Sequence, residues 1–386
     1  DISFFDIKYA KRKRYANYPP YGTMLLARRL LNAGLNVELV NLQHEILKTA
    51  CESSNSDFDY DLIWRKKLNE KIDIFDPDLV GVTCMFTMTH ESFKKICFEV
   101  AKNNLPLAVG GVHVSNDVTR IKKEIPQIDY IFVREADNNF PQFIEAVNTK
   151  KINETSIGGV LLKYDGNNWY NFDSYSIPTE DEISQMPAYE LIEDLEDYSK
   201  YGMIGSFYWL KGENTKAGTI LSNRGCRAQC SFCSVRNFNG KGVRRRHVES
   251  VVDELSYLKN ERGLNHFMFL DDDLFKDEKQ TIAMFDEIVR RKLKITWDAT
   301  NGVIAYACTP EVIHAAYESG CIGINLGMES GNPEILKKIR KPGTVKNFIK
   351  AAETCRQYQE IVTSVFLIIG FPNENMSKIL DTIEVA

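Results

Sequence analysis

Apolar positions along this chain fall into two kinds of run that take turns. One repeats about every 3.6 residues and predicts amphipathic helix; the other is continuous or alternating and predicts strand. Residues 24–32 place apolar side chains on one helical face, and Gly34 supplies a stop. NVELVNL (36–42) alternates and predicts a strand. The nearly unbroken apolar run at 78–86 predicts a strand buried on both faces. A helix at 90–102, a strand at 105–111, a helix over about 116–124, a strand and its exit at 129–137 and a helix at 140–148 follow. Strand and helix alternating with short connections mean a mostly parallel, open, Rossmann-like sheet with helices on both faces. Residues 155–170 predict a hairpin turning at Asp165-Gly166-Asn167-Asn168. Residues 171–217 mix aromatics and acids with Pro178 and Pro187 and read as an ordered crossover.

The alternation then resumes. Strands are predicted at 217–226, 266–275, 294–300, 321–330 and 362–372. Helices are predicted at 247–259, 277–290, 309–318, 332–340, 345–358 and from 374 onward. That is a second α/β region of five β/α units. A chain of 386 residues exceeds what one core usually holds. The pattern divides it into a domain at 1–150, a linker at 151–216 and a domain at 217–386.

Composition narrows the partners. Lys plus Arg is 48 against 53 for Asp plus Glu, so the net charge is -5. A protein gripping nucleic acid through a global basic field is not expected. No stretch approaches the roughly 18 apolar residues of a membrane span, and no signal peptide is visible. Both Asp1 and Ala386 look like cut edges. The nine cysteines are an odd number in a long chain, which makes a poor disulfide framework. Six are scattered and read as small buried hydrophobes. Three lie within eight residues and need another explanation.

In open α/β sheets ligands bind beyond the carboxyl ends of the strands. Three segments of the first domain fall there: Thr83-Cys84-Met85-Phe86-Thr87, Gly110-Gly111-Val112-His113, and Val133-Arg134-Glu135-Ala136-Asp137. Gly110-Gly111 either lets backbone approach a large ligand or makes a tight turn. His113 either meets a ligand or is a satisfied polar residue at a strand end. Cys84 and Met85 read best as core. Neither GxGxxG nor GxxxxGK[ST] occurs, so simple nucleotide binding is unsupported.

The cysteine cluster is Cys226-x3-Cys230-x2-Cys233, placed just after a predicted strand. Three thiolates on one short loop can ligate three corners of a cubane cluster and leave the fourth iron open. Soft thiolates also suit zinc, which would want a fourth ligand; His247 is the nearest downstream histidine. Acids follow at strand ends. Asp271, Asp272 and Asp273 are either ligand-facing carboxylates or a helix cap with solvated acids, Asp273 being the best placed to cap. Glu329 stands inside an otherwise apolar strand. Arg244, Arg245 and Arg246 either pair with an acidic ligand or form a solvated face.

CRAQCSFC (226–233), with Phe232 before the last cysteine, resembles the signature of radical S-adenosylmethionine (SAM) enzymes. The resemblance implies a [4Fe–4S] cluster held by Cys226, Cys230 and Cys233, with SAM on the open iron and cleaved to a 5'-deoxyadenosyl radical. It implies a partial (β/α)6 barrel, TIM-like, cut after its fifth unit. It further implies SAM contacts from Asp271 and Asp272, from Glu329 and Ser330 in GMES (327–330), and from Gly370 and Pro372 in IGFP (369–372). The first domain resembles the cobalamin-binding domain of the B12-dependent radical SAM class through YPPYG (18–22), DPDLVGVTCMF (76–86), AVGGVHVS (108–115), YIFVREAD (130–137) and ISQMPAYELI (183–192). DxHxxG, whose His ligates cobalt in some B12 proteins, is absent. Cobalamin contacts are then implied for Thr83, Gly110, Gly111, His113 and Glu135.

The implied activity is methyl transfer to an unactivated carbon or phosphorus centre through methylcobalamin and the radical. The alternative is a cyclase or other oxidoreductase, such as a porphyrin-type ring cyclase; a B12-dependent sensor or binding module is a third reading. Implied partners are a small, natural-product-like substrate and an electron donor such as flavodoxin or ferredoxin. An oxygen-sensitive cluster implies a reducing compartment, hence cytoplasm.

Overall fold

In the computed structural model, the apolar runs of the first half assemble into a five-stranded sheet. The structure describes residues 5–54, 58–152, 157–165, 168–171, 175–212 and 214–386. β1 (Val80–Thr83), β2 (Leu107–Gly110) and β3 (Tyr130–Phe132) run parallel. β4 (Val160–Asp165) and β5 (Asn168–Asn171) extend the sheet as an antiparallel hairpin, in the order β1-β2-β3-β4-β5. The hairpin expected in the crossover is therefore part of the first sheet, which is mixed rather than purely parallel. Its expected turn residues Gly166 and Asn167 lie outside the described residues.

Side chains alternate across a strand, so neighbours on β2 serve different cores. Val109 joins Phe93, Cys97, Val100, Ile121 and Ile131 on one side. Ala108 joins Phe132, Phe143, Ala146, Val160 and Leu162 on the other. β2 is buried along Leu107–Val109, as a central parallel strand should be. β1 is not: among the described residues it has a strand neighbour on one side only, and Gly81 and Thr83 are exposed. The strand expected at 36–42 is absent as well. Asn41 accepts the His44 N–H and caps a helix, Leu42–Glu52. Asp59 caps a second, Tyr60–Phe75, through the Leu62 N–H. Neither helix was expected from the hydrophobic pattern; the cap residues are the signal that marks them.

The second half builds its own sheet, entirely parallel. Its members are β6 (Ala217–Ile220), β9 (His266–Phe269), β10 (Thr296–Val303), β11 (Cys321–Glu329) and β12 (Val362–Leu367). They stand side by side in chain order, each neighbour parallel. The longer intervening helices are Val248–Asn260, Glu278–Arg290, Pro310–Glu318 and Val345–Cys355, with the short Pro333–Lys338 helix also between β11 and β12. Trp297 is fully buried, stacked on Phe285 at 4.7 Å and edge-on to Phe269 at 5.1 Å, which ties strands β9 and β10 to the Glu278–Arg290 helix.

The strand expected over 217–226 breaks in two. Asp271 accepts the Ser222 N–H at 3.0 Å and also its hydroxyl, which turns the chain out of β6. Residues beyond the bend form β7 (Asn223–Cys226), paired antiparallel with β8 (Gly242–Arg245). Contacts divide the chain into two compact units, Asp1–Thr179 with Gln185–Glu193 and Asn237–Gly240, and Glu180–Ser184 with Asp194–Arg236 and Lys241–Ala386. Among the described residues no helix is long and apolar enough to cross a membrane.

Candidate functional site

β7 delivers Cys226 to the start of the cysteine loop, and the loop is braced before any metal arrives. Arg227, next in sequence, donates to both carboxylate oxygens of buried Asp273 at 2.8 Å, and its own N–H reaches the same group at 3.1 Å. This bidentate pair pins the loop to the end of β9. Asp273 is therefore not the expected helix cap; Asp277 is, through the Gln280 N–H at 3.0 Å. Further along, the Ser231 N–H donates to the Ile339 carbonyl at 2.9 Å. Phe232 packs against Phe371 at 5.9 Å, beside the small core of Ile335, Leu336 and Ile339. The signature aromatic thus anchors the loop on the turn after β12.

All three thiols are free of disulfides, and Cys233 is exposed. Burial pushes the Cys226 thiol up to about 11, with Asp273 and Asp272 adding to the rise. Burial also raises Cys230, against the pull of Lys341. Metal loading must therefore expel protons from these sulfurs. A single zinc holds sulfurs at about 2.3 Å, so no two could lie more than about 4.6 Å apart. Among the described residues no site draws these three sulfurs within 4.8 Å of one another. His247, the alternative fourth ligand, is bound to Asp181 at 2.6 Å. The donor set fits a wider iron–sulfur cluster with three protein ligands better than it fits one zinc ion.

The expected SAM-side residues separate into two groups. Asp272 is exposed at the end of β9. Glu329, itself buried, sits at the β11 bulge with φ 68°, and its carboxylate accepts from Lys341 at 2.8 Å. Gly370 takes φ 101° and is exposed, as is Pro372. Asp271 and Ser330 are instead turned inward. The Asp271 oxygens are taken by Ser222, and burial raises its pKa to about 7. Ser330 is fully buried, accepts the Asn332 N–H at 3.2 Å and lies 3.3 Å from the Thr382 hydroxyl. Both brace the scaffold. The basic run is structural too: Arg246 is buried against Glu254 at 2.6 Å and Arg245 binds Asp277 at 3.2 Å.

In the first unit, parallel register aligns Thr83 with Gly110 at the carboxyl ends of β1 and β2. Gly111 follows with φ 107°; a Cβ there would lie 2.8 Å from Thr83 Oγ1 and closer still to the Cys84 carbonyl. Only glycine fits. Glu135 is buried, and its carboxylate accepts from Asn239 of the same unit at 2.7 Å. His113 is buried with both ring nitrogens engaged, Nδ1 to Thr87 at 3.1 Å and Nε2 to His90 at 2.9 Å. It has no lone pair left for a metal. Cys84 is core, as expected, but Met85 is not. Met85, Phe86 and Met88 are 58%, 55% and 76% exposed on the loop after β1. A continuous apolar run does not reveal which of its members the sheet leaves uncovered. Exposed apolar side chains flanked by the hydroxyls of Thr83 and Thr87 suit a broad, amide-fringed macrocycle such as a corrin.

Comparison with known proteins agrees with both halves. Residues 7–144 match the B12 binding domain and residues 220–386 match the Radical SAM superfamily. The chain thus joins a B12 binding domain to a radical SAM domain. It is 30% identical over 315 residues to an uncharacterized methyltransferase of Pyrococcus horikoshii, covering 81% of this chain and 64% of that one. It is 26% identical over 334 residues to the anaerobic magnesium-protoporphyrin IX monomethyl ester cyclase of Cereibacter sphaeroides, covering 84% and 52%. The chain thus spans about half to two thirds of the length of these curated relatives. Its fold matches that of the radical SAM methyltransferase TsrM from Kitasatospora setae, solved with cobalamin and a [4Fe-4S] cluster, with a TM-score of 0.74, 19% identity and coverage of 95% of this chain and 67% of that one.

Proposed function

We propose that this protein is a methyltransferase acting on an unactivated carbon or phosphorus centre of a small molecule. The carrying observation is the pinned CRAQCSFC loop at the end of a parallel sheet, in a chain that also has a B12 binding domain. Cys226, Cys230 and Cys233 would hold the cluster. Asp272, Glu329, Gly370 and Pro372 would face SAM, with the second sheet read as a partial barrel. Thr83, Gly110, Gly111 and the Met85–Met88 loop would face cobalamin. When bound, cluster and SAM supply a radical that removes a substrate hydrogen, and cobalamin supplies a transferable methyl. The chain's own work is placement. Arg227 and Asp273 fix the loop, Lys341 holds the Glu329 carboxylate, and Gly111 gives the first unit's backbone its close packing. An electron donor of the flavodoxin or ferredoxin class and a reducing compartment belong to this reading.

Identity to the cyclase over most of the chain favours one second reading, ring closure without methyl transfer. The test is anaerobic reconstitution with iron, sulfide and hydroxocobalamin, metal analysis, and incubation with methyl-labelled SAM, a reductant and a panel of small aromatic, porphyrin and phosphonate compounds. About four irons and one cobalt per chain, with label in a product, supports the methyltransferase. Product without label supports the cyclase. Iron without cobalt overturns both.

A further inference from the structure

Thr87 is exposed on the loop that follows β1, and a line of hydrogen bonds leads inward from it. Its hydroxyl meets His113 Nδ1 at 3.1 Å, His113 Nε2 meets His90 Nδ1 at 2.9 Å, and His90 Nε2 meets Glu124 Oε2 at 3.0 Å. Both histidines are buried, while Glu124 is half-buried. The line therefore joins two solvent-facing ends through the core of the first unit.

Each bond needs one donor and one acceptor, and that fixes the direction of the whole line. Arg120 at 2.8 Å, His90 and Lys94 hold Glu124 far down, to about 2, so it accepts only. His90 must then carry its proton on Nε2. A neutral His90 accepts at Nδ1, so His113 carries its proton on Nε2 and accepts at Nδ1. The Thr87 hydrogen points inward to His113, and its oxygen lone pairs point outward. Burial, with His90 and Arg120 adding, disfavours a charged His113 against the opposing pull of Asp117. Glu91 lies 4.0 Å from Arg120 and completes the charged groups around the line. His90 has both nitrogens committed, which leaves it no lone pair for a cation beside Glu91 and Glu124.

We propose that the Glu124–His90–His113 line sets Thr87 as a hydrogen-bond acceptor toward the ligand, and so selects an amide N–H of a corrin side chain over a carboxylate at that position. Thr87 touches the ligand; His113, His90 and Glu124 are positioning residues. This rests on the cobalamin reading of the first unit.

The line itself is tested in the ligand-free full chain by 15N NMR of labelled histidines at neutral pH. His90 and His113 are both expected as the Nε2–H tautomer in the wild type. Glu124→Leu, lacking the terminal acceptor, is expected to populate both tautomers. An Nδ1–H form of either wild-type histidine overturns the proposal. The selection is tested by spectroscopic titration with hydroxocobalamin and with its derivatives in which one side-chain amide is hydrolysed to a carboxylate. One derivative is expected to bind the wild type about fivefold more weakly than hydroxocobalamin, one net hydrogen bond's worth. Thr87→Val should lose that discrimination and Thr87→Ser should keep it. Equal discrimination by the wild type and Thr87→Val overturns the proposal. Failure of the wild type to bind hydroxocobalamin overturns the cobalamin reading, and the tautomer result stands apart from it.

Discussion

Asp271 is fully buried at the end of β9 with Ser222 hydrogen-bonded to its oxygens, and loss of water outweighs those bonds. Its pKa rises from 3.8 to about 7. A carboxyl that is a weaker acid when folded holds its proton longer than in the unfolded chain. Between pH 3.8 and about 7 the folded state binds more protons, so this group's contribution to stability falls as pH rises and levels off above about 7. The slope is at most about 1.4 kcal/mol per pH unit. Asp271→Asn removes it. Denaturant midpoints of the wild type and Asp271→Asn at pH 5, 6 and 7 should therefore differ most in their pH trend, with the wild type losing more stability toward pH 7. Parallel trends would show that Asp271 is ionised throughout. The residue was legible from sequence as a carboxylate at a strand end. That it faces Ser222 instead of a ligand was not, because strand-end position does not fix which way a side chain turns.

Elements joined by buried charge show the same limit one level up. Arg246 on the exit of β8 and Glu254 on the Val248–Asn260 helix are both essentially without solvent and 2.6 Å apart. Removing one partner strands the other charge, a change that costs about 3–5 kcal/mol. Glu254→Ala should lower the melting temperature markedly, while Asp181→Ala, which removes the exposed partner of His247, should barely shift it. Equal shifts would mean that Arg246 finds other partners in the folded chain. From sequence, RRR read equally as a ligand clamp or a solvated face, since a helical Glu eight residues on carries no mark of its inward orientation. Strong periodicity made the starts of the Val248–Asn260, Glu278–Arg290, Pro310–Glu318 and Val345–Cys355 helices readable to within a residue, although the last ends three residues short of the expected 358. The first half was harder at 36–42, where a short alternating run preceded an Asn cap and the cap decided the structure. The cysteine spacing was legible outright, whereas its bracing by Arg227 and Asp273 requires residues far apart in sequence to meet.

At the scale of the whole chain, each half has its own sheet and its own buried cores, and each set of proposed cofactor residues falls within one half. Loading of the two cofactors should therefore come apart under mutation. Cys230→Ala removes one of three cluster ligands and leaves the β1–β3 ends untouched. It should yield a chain with almost no iron after anaerobic reconstitution and a full cobalt complement. Phe86→Glu places a charge on a loop whose apolar side chains are exposed, without disturbing a buried core. It should keep about four irons per chain and bind hydroxocobalamin more weakly by tenfold or more, since a charge brought against an apolar face is left unpaired. Iron, sulfide and cobalt analysis of the two variants beside the wild type reads both effects at once. Cobalt lost from Cys230→Ala together with iron would mean that cobalamin depends on the cluster-bearing half for its hold, and the assignment of one cofactor to each half would fall. Iron lost from Phe86→Glu would bring that assignment down from the other side, because the cluster would then depend on a loop of the first half.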